Sequence, residues 1–194
     1  MRARGSARAG SGSDPDATPP RDAPKVLPLW PADHSIQVTY SLCEHGLFVD
    51  ARVANPSPTP LAFGLGYHPY FAVSTDASTT TVQVPANKLW QLQDLLPTGE
   101  RLDVDDRTGL QMERKFTELQ LDDILTDLGH HQSLRTPDRF WRGTVRDRVS
   151  DAQLEIHTSG AFGELVAFTP PHRQALCLEP YTCTTDAINL QQRG

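Results

Sequence analysis

The chain is poor in the residues that mark out the simpler classes of protein. Of its 194 residues only three are cysteine, Cys43, Cys177 and Cys183. An odd number with no CxxC pair argues against a disulfide framework and against a structural zinc site, and fits a reducing compartment. No apolar run approaches the roughly 20 residues that cross a bilayer, and the amino terminus lacks the apolar stretch of about 7–15 residues found in a signal peptide. These absences lead us to expect a cytoplasmic chain with no membrane partner. There is no excess of positive charge, since 24 acidic residues outnumber 18 basic ones for a formal charge of −6. No surface reads as built to neutralise the phosphate backbone of a nucleic acid, which is therefore not an expected partner. Helical periodicity is scarce. The best stretch for it, Asp106 to Glu118, is interrupted by Gly109 and has an irregular apolar pattern, so no helix is expected there.

Residues 1–25 contain no Val, Ile, Leu, Phe, Tyr or Trp. They cannot bury enough apolar surface to offset the entropy of ordering them, which predicts a disordered tail over 1–25. Arg2, Arg4 and Arg8 would suit a transit peptide, but Asp14, Asp16 and Asp22 do not. The remainder, 26–194, has 38% hydrophobic residues across the whole chain behind it and suffices for one domain with a core.

What is present is a series of short alternating runs. Ile36, Val38, Tyr40 and Leu42 alternate with polar residues. Glu44-His45-Gly46 offers a tight turn, and Leu47, Val49, Ala51 and Val53 resume the pattern, so a hairpin is predicted. Pro56, Pro58 and Pro60 end its second strand. Further strands are predicted at Thr80–Val84, Lys88–Leu92, Thr144–Val149, Gln153–His157, Glu164–Phe168 and Ala175–Leu178, with Pro180 closing the last. Many short strands separated by Gly, Pro, Asp or Asn point to an antiparallel all-β sandwich or barrel.

Two stretches carry chemistry. In Gly64-Leu65-Gly66-Tyr67-His68-Pro69-Tyr70-Phe71 a histidine lies among aromatics, and paired glycines allow close backbone approach. Aromatic faces suit the C–H surfaces of a sugar, although a histidine in such a strand equally fits a packed core residue. In Leu178-Glu179-Pro180-Tyr181-Thr182 a carboxylate ends an apolar run, at the edge of a core where burial tunes basicity, or simply facing water.

Together these stretches resemble the histidine and glutamate motifs of the aldose 1-epimerases. The glutamate motif continues through Thr185-Asp186-Ala187-Ile188-Asn189-Leu190. Leu96-Pro97-Thr98-Gly99 and Leu121-Asp122-Asp123-Ile124-Leu125-Thr126 resemble family landmarks in the same order. The resemblance implies an antiparallel β-supersandwich of galactose mutarotase type and interconversion of the α and β anomers of a free or phosphorylated aldohexose. It implies Glu179 as general base, His68 as general acid, and Asp122 as a ligand for sugar hydroxyls, with Tyr67 in the sugar-binding surface. No cofactor and no metal are implied, because a hemiacetal needs only a positioned acid and base to open. Family members carry further strands, a substrate-binding arginine and another histidine at the amino end, and a final strand at the carboxyl end. The sequence therefore reads as a shortened member, its domain incomplete and its activity impaired. Two other functions are compatible with the residues alone. One is a carbohydrate-binding module without turnover. The other is a metal enzyme using His68, His172, Cys177 and Cys183, disfavoured by the spacing of the two cysteines.

Overall fold

A computed structural model of the chain describes residues 33–132 and 138–193, so the tail expected over 1–25 lies outside the described residues. The chain divides into two compact units, one reaching to Phe63 and the other running from Gly64 to Gly194.

Within the first unit, β1 (Ser35–Cys43) and β2 (Gly46–Ala54) form the expected hairpin. Its register sets Ile36 opposite Val53, Val38 opposite Ala51, Tyr40 opposite Val49 and Leu42 opposite Leu47, which gathers the apolar residues of both strands on one face. Gly46 closes the turn at φ +141°, a backbone conformation that side chains oppose.

The second unit is a sandwich of two antiparallel sheets. Its strands are β3 (Tyr70–Ala72), β4 (Thr80–Gln83), β5 (Ala86–Gln93), β6 (Leu96–Asp103), β7 (Arg114–Lys115), β8 (Asp122–Leu128), β9 (Phe140–Asp147), β10 (Gln153–Thr158), β11 (Glu164–Phe168) and β12 (Ala175–Tyr181). A four-stranded sheet runs β10-β9-β4-β7 and a six-stranded sheet runs β3-β12-β11-β8-β5-β6. A short helix, α1 (Ala187–Arg193), follows. Val82 and Val145 of the smaller sheet and Leu125, Leu165, Ala167, Leu176 and Leu178 of the larger one belong to a single buried cluster, centred with Phe116 between the sheets. Where the sheets approach at Gly143, a Cβ would stand 3.4 Å from both Leu178 and Val84.

The fold extends the expected strands in one instructive place. β12 continues through Pro180 to Tyr181. The Pro180 carbonyl accepts a hydrogen bond from Tyr67 N at 3.1 Å, so the side of the strand from which an amide is missing is the side facing Leu65–Tyr67, and pairing with β11 on the other side proceeds unbroken. Between β6 and β8, where no helix was expected, Phe116–Glu118 forms a single 3₁₀ turn. Among the described residues no helix is long and apolar enough to cross a membrane.

Candidate active site on the outer face of the large sheet

Strand alternation divides β12 into two functions. Leu176 and Leu178 enter the core, so Cys177, Glu179 and Tyr181 project from the opposite, outer face. Glu179 stands directly across from Val166 of β11, and Val166 directly across from Ile124 of β8. An apolar row therefore flanks the carboxylate, which is only 2% exposed.

The histidine stretch runs antiparallel along the other edge of β12. Gly66 bridges Tyr181 and, four residues on, Tyr70 pairs with Cys177, four residues back. The register is thus unbroken from one contact to the next, and it sets His68 directly opposite Glu179. Thr182 N donates to Leu65 O and Tyr67 N to Pro180 O, which makes these the hydrogen-bonded pairs and His68–Glu179 a non-hydrogen-bonded one. Side chains approach most closely at such pairs. His68 Nε2 lies 3.3 Å from Glu179 Oε1, with the imidazole about half exposed and the carboxylate buried. The glycines explain the close approach. A Cβ on Gly66 would fall 2.7 Å from the Tyr181 ring, and one on Gly64 would collide with Cys183 Sγ.

Two groups absent from the sequence expectations complete the arrangement. Tyr181 Oη donates to Glu179 Oε2 at 3.0 Å, holding the carboxylate by its second oxygen. Tyr70 stacks on His68, with centroids 5.2 Å apart and planes 13° from parallel. Both follow from period two: residues two along from His68 and from Glu179 share their face. Burial pushes the Glu179 carboxyl above its ordinary range. The Tyr181 hydrogen bond and His68 oppose that shift, and the charge of Asp122 adds to it. Burial beside the same carboxylate pushes the Tyr181 phenol to about 12, so it keeps its proton and remains a donor.

The structure thus brings His68 and Glu179 together and sets Asp122, which is exposed, near enough to act on Glu179 electrostatically. Asp123 differs sharply: it is buried and grips Arg107 through two bonds of 2.8 and 2.7 Å. The Tyr67 ring packs on Phe162 at 5.8 Å, while Tyr70 takes the stacking position on His68. Trp90 is half-buried on the outer face, donating to Glu164 at 3.0 Å beneath the Arg101 guanidinium. A separate hollow of about 300 Å³ beside His131 and Trp141 is lined by no carboxylate and offers no acid–base pair.

A sequence model of the family described as Aldose 1-epimerase matches residues 17–192. The chain is similar to the protein YihR of Escherichia coli K12, at 24% identity over 155 residues, covering 79% of this chain and 48% of that protein. Among solved structures it is similar to a galactose mutarotase-like protein from Clostridium acetobutylicum, with a TM-score of 0.70 at 20% identity, covering 87% of this chain and 51% of the other. It is also similar to the Slr1438 protein of Synechocystis sp. PCC 6803, with a TM-score of 0.62 at 25% identity, covering 82% and 48%. The sandwich is therefore of the galactose mutarotase type, as expected, and the chain spans about half the length of the relatives it matches.

Proposed function

Because this chain belongs to the aldose 1-epimerase family, we propose that it interconverts the α and β anomers of an aldohexose, free or phosphorylated, by general acid–base catalysis. The observation that carries this reading is the 3.3 Å approach of His68 Nε2 to Glu179 Oε1. In a cyclic sugar the anomeric hydroxyl and the ring oxygen hang on the same carbon. An acid and a base that serve both must stand side by side, each within hydrogen-bond reach of one oxygen.

In the proposed cycle Glu179 removes the proton of the anomeric hydroxyl while His68 delivers one to the ring oxygen, breaking the bond between that oxygen and C1. Rotation about C1–C2 turns the other face of the aldehyde toward the ring hydroxyl. Closure then returns the proton to His68 and the other from Glu179 to the new anomeric oxygen, leaving both groups as they began. Burial makes Glu179 a stronger base than an exposed carboxylate, and Tyr181 keeps one of its oxygens occupied so that the other is aimed at substrate. We assign Asp122 to the sugar hydroxyls, and Tyr70 rather than Tyr67 to the aromatic contact beside the reacting carbon. The free thiols suit a reducing cytoplasmic setting.

Polarimetry tests the proposal. Freshly dissolved α-glucose or α-galactose should reach rotational equilibrium faster with the protein than without it. Glu179→Gln should slow that approach by about 10²–10⁴-fold while sugar binding persists. Sugar binding with no acceleration by the wild-type chain would instead identify a carbohydrate-binding module.

A further inference from the structure

Cys177 takes no part in the proposed proton transfers, yet it lies on the same outer face, completely buried and unpaired with any other cysteine. Its cross-strand neighbour is Tyr70, the residue stacked on His68, and Glu179 is two residues along its own strand. One ligating atom from each of His68, Cys177 and Glu179 lies within 4.8 Å of the other two. We propose that these three side chains form a site for a divalent metal ion of the zinc class, and that an ion bound there blocks the acid–base pair.

The chemistry of the donors selects the ion. One thiolate sulfur, one imidazole nitrogen and one carboxylate oxygen form a borderline-soft set, whereas magnesium and calcium require shells of oxygen. Zinc bonds to such atoms at about 2.0–2.3 Å, which places two ligands of one tetrahedral ion roughly 3.3–3.8 Å apart. The 3.3 Å between His68 Nε2 and Glu179 Oε1 already meets that spacing. Three ligands leave a fourth position, and the imidazole of the set is half exposed. On binding, the Cys177 thiol releases its proton to solvent as the sulfur–metal bond forms. Nε2 of His68 and an oxygen of Glu179 then hold the ion in place of the protons they would exchange with a sugar. His172 and Cys183, the other two ligands of the disfavoured metal-enzyme reading, are not in this group. Cys177 and Glu179 meet through strand alternation and His68 through register, so the spacing of cysteines along the chain carried no sign of the site.

The blocking rests on the proposed function, but the site itself does not, and cobalt(II) separates the two. The full chain, stripped with a chelator and titrated with cobalt, is expected to bind one ion with a thiolate-to-cobalt charge-transfer absorption that added zinc abolishes. The double variant Cys43→Ser/Cys183→Ser should keep that absorption and Cys177→Ser should lose it. Loss of a direct ligand should weaken binding by at least about 10-fold, since even outer-shell changes cost that much. No such absorption in the wild type, its persistence in Cys177→Ser, or its loss in the double variant would overturn the site. Zinc should also inhibit mutarotation, reversibly by chelator, with Cys177→Ser at least about 10-fold less sensitive. Equal sensitivity would overturn the blocking. A wild type with no mutarotation would sink the blocking together with the proposed function, while the cobalt absorption would still decide the site.

Discussion

At the scale of single residues, the candidate site turns on which group touches Glu179. The Tyr181 phenol keeps its proton and donates to one carboxylate oxygen, leaving the other at His68. Removing it should loosen the base without unfolding the strand, because the ring remains to fill the space beside Gly66. Tyr181→Phe is therefore expected to lower kcat by about 10-fold, the value of one neutral-to-charged hydrogen bond of roughly 1.5 kcal/mol, with a smaller change in KM. Steady-state polarimetry resolves the two. The adjacent acidic pair divides by environment. Asp123→Ala strands the Arg107 guanidinium and should cost about 1–3 kcal/mol in urea unfolding. That is less than a fully buried pair would cost, since Arg107 is half exposed. Asp122→Ala should leave stability within about 0.5 kcal/mol of wild type and act instead on KM for the sugar.

At the scale of elements, the sequence was most legible where alternation was clean and pairing local. The hairpin lies where expected because Ile36, Val38, Tyr40 and Leu42 alternate with polar residues and pair in register with Val53, Ala51, Val49 and Leu47, although Ile36, Val38, Tyr40, Leu42 and Leu47 stay exposed. β6 is harder to read, since it contains Pro97 and Gly99, two residues that weaken a strand pattern. β8 opens on two acidic residues, and only the Arg107 partner explains a buried aspartate there. His68 and Glu179 could be named from their motifs, but their meeting could not be read from periodicity. It depends on a register between segments more than a hundred residues apart, set by Gly66 against Tyr181 and Tyr70 against Cys177. The turn after β9 gives a prediction of its own. Asp147 accepts bonds from Thr79 Oγ1, Ser150 Oγ and Val149 N, which hold its carboxyl down to about 2 from an ordinary 3.8. A depressed folded pKa contributes stability that is fully present above the unfolded value and is lost as pH falls toward about 2. Melting temperatures recorded from pH 5 to pH 2 should therefore fall less steeply for Asp147→Asn than for wild type, from a lower starting point.

For the second unit as a whole, stability resides between the two sheets and the proposed chemistry outside them. Phe116 is fully buried in the shared core, covered by the Arg173 guanidinium 4.3 Å from its ring. Arg173 also ties the 3₁₀ turn down by donating to the carbonyls of Phe116 and Leu119 at 2.7 and 2.6 Å. Phe116→Ala should cost about 3–5 kcal/mol, read as a shifted urea midpoint, whereas no substitution on the outer face should approach that value.

The alternation of β12 also bears on how such a protein changes over generations. Positions 176 and 178 answer to folding, and positions 177, 179 and 181 carry the proposed chemistry, although all five belong to one strand. A lineage can thus explore new reactivity by replacing every second residue while its neighbours conserve the scaffold, and the two searches interfere little. Randomised libraries restricted to the odd positions should be rich in soluble clones with altered behaviour, and those restricted to the even positions should be poor in soluble clones of any kind.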